Sequence, residues 1–160
     1  MKKAILATVV ILVLAACGTT KIERQATRTF KGEWTLNNIT YPGSSGFVDV
    51  VLFEDSPTNC FRNSTWKFVP NNNKGVYTIY GNKCSEGLRN FVWSVQEIDA
   101  NTGLYDFLLK PVAEGENARK TSKGFRLSLK RLTDTDMVWE QTVSFEGKPF
   151  TIRFNFSKSI

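Results

Sequence analysis

The chain has 160 residues, with 21 lysines and arginines against 15 acidic residues and no histidine, which fits one domain large enough to bury a core. Without histidine, Ser-His-Asp and Cys-His catalysis are excluded, and no glycine-rich phosphate loop or dinucleotide fingerprint is present, so neither a cofactor nor a metal ion is expected. The net charge of +6 is mild and no basic run carries interleaved aromatics, so nucleic acid is not an expected partner.

Lys2 and Lys3 open the chain, and Ala4 to Ala16 is apolar except for Thr8. That is a basic start, an apolar stretch of signal-peptide length and a small-residue cleavage site. The run is shorter than the roughly 20 apolar residues a membrane-spanning helix needs. Leu14-Ala15-Ala16-Cys17 resembles the bacterial lipobox. The resemblance implies cleavage before Cys17, diacylation of its sulfur with palmitate-class chains, and acylation of the new amine. Each buried methylene adds about 0.8 kcal/mol, so two or three chains hold a protein on a membrane. The alternative is an ordinary secretory signal with a cysteine after the cut. Gly18, where Asp would mark inner-membrane retention, points to the outer membrane of a Gram-negative envelope.

Gly18 to Thr29 is polar, with Lys21, Glu23, Arg24, Gln25 and Arg28, and reads as a flexible tether, with a docking segment as the lesser alternative. The expected organisation is therefore a signal at 1–16, a lipidated tether at 17–29 and one domain at 30–160. Losing Lys2 and Lys3 with the leader lowers the net charge from +6 to +4, which suits a face near anionic lipid. With Cys17 assigned to lipid, Cys60 and Cys84 remain, and outside the cytoplasm such a pair is most simply a disulfide. Metal-ligating thiolates are the rival, disfavoured by the absence of histidine and of C-x-x-C.

From Phe30 the pattern is short alternating runs separated by turn residues. Strands are expected at Phe30 to Leu36, Phe47 to Phe53, Ser64 to Val69, Val76 to Tyr80, Asn90 to Gln96, Gly103 to Lys110, Lys123 to Leu132, Met137 to Val143 and Phe150 to Phe156. Asn37 to Gly46 is a long loop, Asn71 to Gly75 a hairpin connection, and Pro111 to Ser122 an exposed polar loop. Short helices fit only near Asp55 to Asn63 or Asn117 to Ser122. About eight to nine strands joined by brief turns describe an all-β, antiparallel up-and-down meander closed into a barrel. An immunoglobulin-like sandwich is the main rival.

Gly32-Glu33-Trp34 on the first strand is similar to the lipocalin Gly-x-Trp. A Cys followed by an aromatic strand, a hairpin and a second Cys is the pattern of Cys60, Trp66-Lys67-Phe68, Val76 to Tyr80 and Cys84. With Leu132-Thr133-Asp134, it resembles the lipocalin-like lipoproteins of the Bacteroidetes. A lipocalin usually adds a helix after its last strand; this sequence runs to Ile160, just past Phe156, as in the shorter lipocalin-like class. The resemblance implies a barrel base made by Gly32 and Trp34, with a cation from near the last strand over the indole. Arg153 or Arg131 are the candidates and Arg153 is adopted, for a cation–π contact of about 0.5–2 kcal/mol.

The aromatic residues Trp66, Phe68, Tyr80, Trp93 and Phe107 are candidates to line a calyx for a small hydrophobic ligand, against the plainer reading that they are core. Asp49 and Asp106 interrupt apolar strands, and Lys110, Arg126, Lys130 and Arg153 fit either a charged mouth or a solvated exterior. The expected function is a membrane-anchored, non-enzymatic binding module for a small hydrophobic or amphipathic ligand. The alternative is a filled-barrel envelope protein that serves interaction or structure without a ligand, its protein partner unknown. An internal cavity of about 300–1,000 Å³ discriminates the two.

Overall fold

The computed structural model describes residues 21–44, 50–81, 83–99, 104–117 and 123–159. Helix α1 spans Lys21–Phe30 and runs into strand β1, Gly32–Thr40. A small hairpin, β2 (Val51–Leu52) and β3 (Ser56–Pro57), precedes the single-turn helix α2 (Thr58–Phe61). Seven strands follow: β4 (Thr65–Val69), β5 (Lys74–Ile79), β6 (Gly87–Asp99), β7 (Leu104–Val112), β8 (Phe125–Leu132), β9 (Asp136–Phe145) and β10 (Lys148–Lys158).

Eight of these strands close a barrel in the order β1-β10-β9-β8-β7-β6-β5-β4. Every pair is antiparallel, and β1 completes the circle, with Trp34 opposite Trp66 of β4 and Leu36 opposite Phe156 of β10. Each barrel strand lies beside the barrel strands before and after it in the chain, so the order has no crossover. That is the up-and-down barrel the alternation implies, and not the sandwich. Full closure leaves no unpaired edge.

Period-two alternation builds the interior. Trp66 and Phe68, Phe91 and Trp93, Phe107 and Leu109, Leu127 and Leu129, and Ile152, Phe154 and Phe156 are buried, with more exposed neighbours between most of them. They join one core cluster that runs the length of the barrel. Phe107 stacks on Trp139 at 4.4 Å between ring centroids, Trp139 meets Phe156 at 4.6 Å, and Trp66 stacks on Tyr77 at 4.5 Å. Gly75 lies opposite Phe91, and a Cβ there would fall 2.3 Å from the Phe91 ring. The glycine is required so that the ring can lie across the strand.

Three expectations change. The loop expected at Asn37 to Gly46 begins later, because β1 runs on through Thr40, paired with β10. The segment read as a flexible tether is helical from Lys21. Lys, Glu, Arg, Gln and Ala are good helix formers, and the helix ends on Phe30, which is fully buried in the barrel. That ring anchors a segment whose residues 24–29 are exposed or half-buried. Of the expected strand at Phe47 to Phe53, the described residues 50–53 contribute Val51–Leu52, paired with Ser56–Pro57 outside the barrel. Asp49 and most of the Asn117 to Ser122 helix candidate lie outside the described residues.

Candidate functional site

The two ends of the barrel are closed by different residues. At the base, Phe30 packs against Phe68, Trp93 and Phe107 at centroid distances of 5.3, 5.2 and 5.2 Å. Trp34, also fully buried, donates its indole N–H to Phe30 O at 3.0 Å. Lys158 places its Nζ 5.2 Å from the Trp34 ring centroid and donates to Thr29 O at 3.1 Å. Gly32 takes φ +117, and a Cβ there would press on the Lys158 stem at 3.3 Å. Gly-x-Trp is thus the barrel base, with the glycine accommodating the cation.

That cation is Lys158 and not Arg153. Arg153 pairs with Thr40, far along β1 from the base, whereas Lys158 pairs with Trp34. The Arg153 side chain points outward and binds Glu140 Oε1 through Nε at 2.7 Å and Nη2 at 2.6 Å. Arg131 lies 3.8 Å from Asp136, also on the exterior.

The mouth is closed by the β2–β3 turn. Asp55 N–H donates to Leu52 O at 2.9 Å, and the two central residues, Phe53 and Glu54, have φ of 53° and 55°. This is a type I′-like turn, which normally selects Asn-Gly. Left-handed backbone costs a non-glycine residue about 1–2 kcal/mol. Phe53 is held there with its ring buried among Phe61, Trp66, Phe125 and Phe154 at centroid distances of 5.6, 6.0, 5.2 and 5.9 Å.

Asp55 latches the turn. Its Oδ2 accepts from Tyr77 Oη at 2.8 Å and Arg89 Nε at 3.0 Å, and its Oδ1 from Arg89 Nη2 at 3.3 Å and Ser56 Oγ at 3.2 Å. Both charged side chains are about four-fifths buried, at 18% and 21% exposure. Burial, then the Asp55 bond and charge, push the Tyr77 hydroxyl far above the ordinary tyrosine range, only partly opposed by Arg89. It therefore remains a proton donor. Beside it, Glu54 pairs with Lys123. The disulfide Cys60–Cys84 joins α2 to the β5–β6 loop at this same end, with Cα atoms 5.7 Å apart. A cleft of about 720 Å³ opens along the latch, walled by Phe53, Asp55, Tyr77, Arg89, Pro111 and Lys123.

Of the calyx candidates, Trp66, Phe68, Trp93 and Phe107 are inside the barrel and buried. Tyr80 is not: it is 55% exposed and hydrogen-bonded to Thr65 Oγ1 at 2.9 Å. Inward parity on β5 belongs to Tyr77 and Ile79, which puts Tyr80 outside. Asp106 is a buried carboxylate that Arg126 meets at 3.0 Å. Lys130 and Arg153 both reach Glu140 on the outer wall, so these charges form an exterior and not a ring at the mouth. Three tryptophans have indole acceptors: Phe30 O for Trp34, Ser64 Oγ for Trp66 and Lys74 O for Trp93. The fourth, Trp139, is fully buried, and its Nε1 has none among the described residues. Such a donor costs about 1–3 kcal/mol.

Sequence reasoning missed Phe53, Asp55, Tyr77, Arg89 and Lys158. The parity of Arg89 with Phe91 and Trp93, and of Lys158 with Phe154 and Phe156, was the available signal. Each is a cation in step with buried aromatics, one near the mouth and one at the base.

A closed eight-strand meander with a Gly-x-Trp base defines a small calyx-type β-barrel protein. The chain belongs to the lipocalin-like domain family, which matches residues 30–139. Among solved structures it is similar to a lipocalin-like protein from Bacteroides uniformis ATCC 8492, with 14% identity over 82% of this chain and 99% of that one, at a TM-score of 0.47. It is similar also to an uncharacterized protein from Bacteroides eggerthii DSM 20697, with 13% identity over 81% and 99%, at 0.47. A third is bovine odorant binding protein in complex with a selenium-containing odorant, with 9% identity over 90% and 76%, at 0.40. No curated protein matches the chain.

Proposed function

We propose that this is a lipid-anchored cell-envelope protein that binds one small apolar or amphipathic ligand in the mouth half of its barrel, as a binding protein and not an enzyme. The observation that carries the reading is Phe53. The barrel wall supplies the other rings around it except Phe61 of α2, but Phe53 enters from a hairpin of two-residue strands with an unfavourable turn. Lifting that turn uncovers an apolar chamber walled by Phe61, Trp66, Tyr77, Phe125 and Phe154. The unpaired Trp139 N–H, one ring deeper, supports an interior that meets a hydrogen-bond acceptor.

Anchoring rests on Leu14-Ala15-Ala16-Cys17. Cys17 lies four residues before Lys21, so lipid on it stands within roughly 15 Å of the start of α1. The outer membrane is the surface the Gly18 rule favours. On this reading the base lies beside the membrane and the mouth faces away from it.

The second reading, a filled barrel that serves interaction or structure, is favoured by the ring packing itself, as close as 4.4 Å at Phe107–Trp139. Native mass spectrometry of the processed chain, extracted from its own host in mild detergent, separates the two. The expected spectrum shows acyl mass that survives denaturation and a second species that leaves with it. A chain free of any dissociable species, and unmoved by a panel of fatty acids and haem, transfers the function to the filled barrel.

A further inference from the structure

We propose that the barrel mouth is a site for an amphipathic monocarboxylate, and that the Phe53–Asp55 turn occupies it as an intramolecular surrogate. The proposal rests on the ligand-binding reading above and names the ligand class. Phe53 and Asp55, two residues apart, present an apolar ring and a carboxylate. The ring lies among Phe61, Trp66 and Phe125. The carboxylate takes the Tyr77 hydroxyl at 2.8 Å and Arg89 Nε at 3.0 Å. A free acid with an apolar tail offers the same two groups to the same partners.

Those donors stay when the turn leaves. Tyr77 and Arg89 are direct partners across β5 and β6, and so part of the barrel wall. The Arg89 guanidinium also donates to Gly87 O at 2.7 Å and to Ser85 O. Two of its hydrogen bonds therefore hold it without Asp55. A guanidinium beside a protonated hydroxyl suits a carboxylate, and an ammonium head would meet like charge.

Charge balance at the cleft points the same way. Asp55 neutralises Arg89 and Glu54 neutralises Lys123, so lifting the turn unmasks two cations together. Glu114 and Glu116 line the same cleft and disfavour a multiply charged anion, which leaves a single carboxylate. Release also relieves the left-handed backbone at Phe53 and Glu54, offsetting part of the cost of displacement.

The test is calorimetric titration of the whole processed chain in phosphatidylcholine nanodiscs, with blank nanodiscs as reference. The ligands are matched sets: phenylpropionate, phenylpropanol and phenylpropylamine, then octanoate, octanol and octylamine. The acids are expected to bind about ten-fold tighter than the alcohols or more, with the amines weakest. Arg89→Met is expected to bring the acid-to-alcohol affinity ratio to about one, a ratio that the accompanying loosening of the turn does not move. Asp55→Asn weakens the surrogate, and is expected to tighten acids and alcohols alike by several-fold, because either ligand displaces the same turn. If Arg89→Met does not fold, Asp55→Asn decides. Acids and alcohols that bind equally overturn the head-group assignment and leave the apolar mouth standing. Acids that bind Asp55→Asn no tighter than the parent chain overturn the surrogate. If no member of either set binds, this proposal and the ligand-binding reading fall together.

Discussion

At the base of the barrel, Trp34 and Phe30 are joined by a 3.0 Å indole–carbonyl bond and covered by Lys158; at the mouth, Phe53 is held by a turn with two left-handed non-glycine residues and a part-exposed ion pair. The unusual φ at the base falls on Gly32, where it costs little. At the mouth it falls on Phe53 and Glu54, where it costs more. Both ends bury aromatic rings to a similar degree, so burial does not distinguish them. What differs is whether the closing residue could leave without dismantling the barrel. Phe30 precedes β1 with one residue between, and Trp34 belongs to it. Phe53 belongs to a hairpin outside the closed sheet.

The comparison is broken most severely by truncation. Trp34→Ala is expected to cost about 4–5 kcal/mol, the upper part of the range for large buried aromatics. Phe53→Ala should cost about 2–3 kcal/mol, because a hairpin outside the barrel can settle into the space or admit water. Urea unfolding of both variants checks the order; equal losses would make the mouth as permanent as the base. Next is the disulfide. Cys60 and Cys84 are 24 residues apart, and loss of the link should destabilise by about 3–4 kcal/mol in the chain-entropy model. It ties α2 to the β5–β6 loop, so hydrogen exchange in the double Cys→Ser variant should rise at the mouth before the base. The smallest effect sharpens the comparison. Glu54→Gly relieves left-handed backbone but adds freedom to the unfolded chain, and its pair with Lys123 is exposed at 66% and 59% and contributes little. A net gain of about 0.5 kcal/mol in stability is expected. A loss on that substitution would show the turn to be unstrained.

Much of the barrel was legible because its information is local. Trp66-Lys67-Phe68, Phe125 to Lys130 and Phe150 to Phe156 alternate in the sequence as they do across the wall. An alternating run exposes its parity before any partner is known. The same rule, applied to Tyr80, would have sent it outside with Thr78. The helix over Lys21–Phe30 was obscured by polar residues, since its anchors are at its end: the Phe30 ring and the carbonyls of Thr29 and Phe30, bonded by Lys158 and Trp34. The cation over Trp34 is neither Arg153 nor Arg131, because register, and not proximity to the last strand, decides which cation faces the indole.

By itself, then, the sequence determined a disulfide pair, an antiparallel barrel and most of the side chains that fill it. Only the tertiary structure decided what closes each end. Asp55 reaches Tyr77 and Arg89 across 22 and 34 residues of sequence, and Lys158 reaches Thr29 across 129. Alternation is carried by each strand separately, whereas these contacts exist only after the strands have closed on one another in a single register.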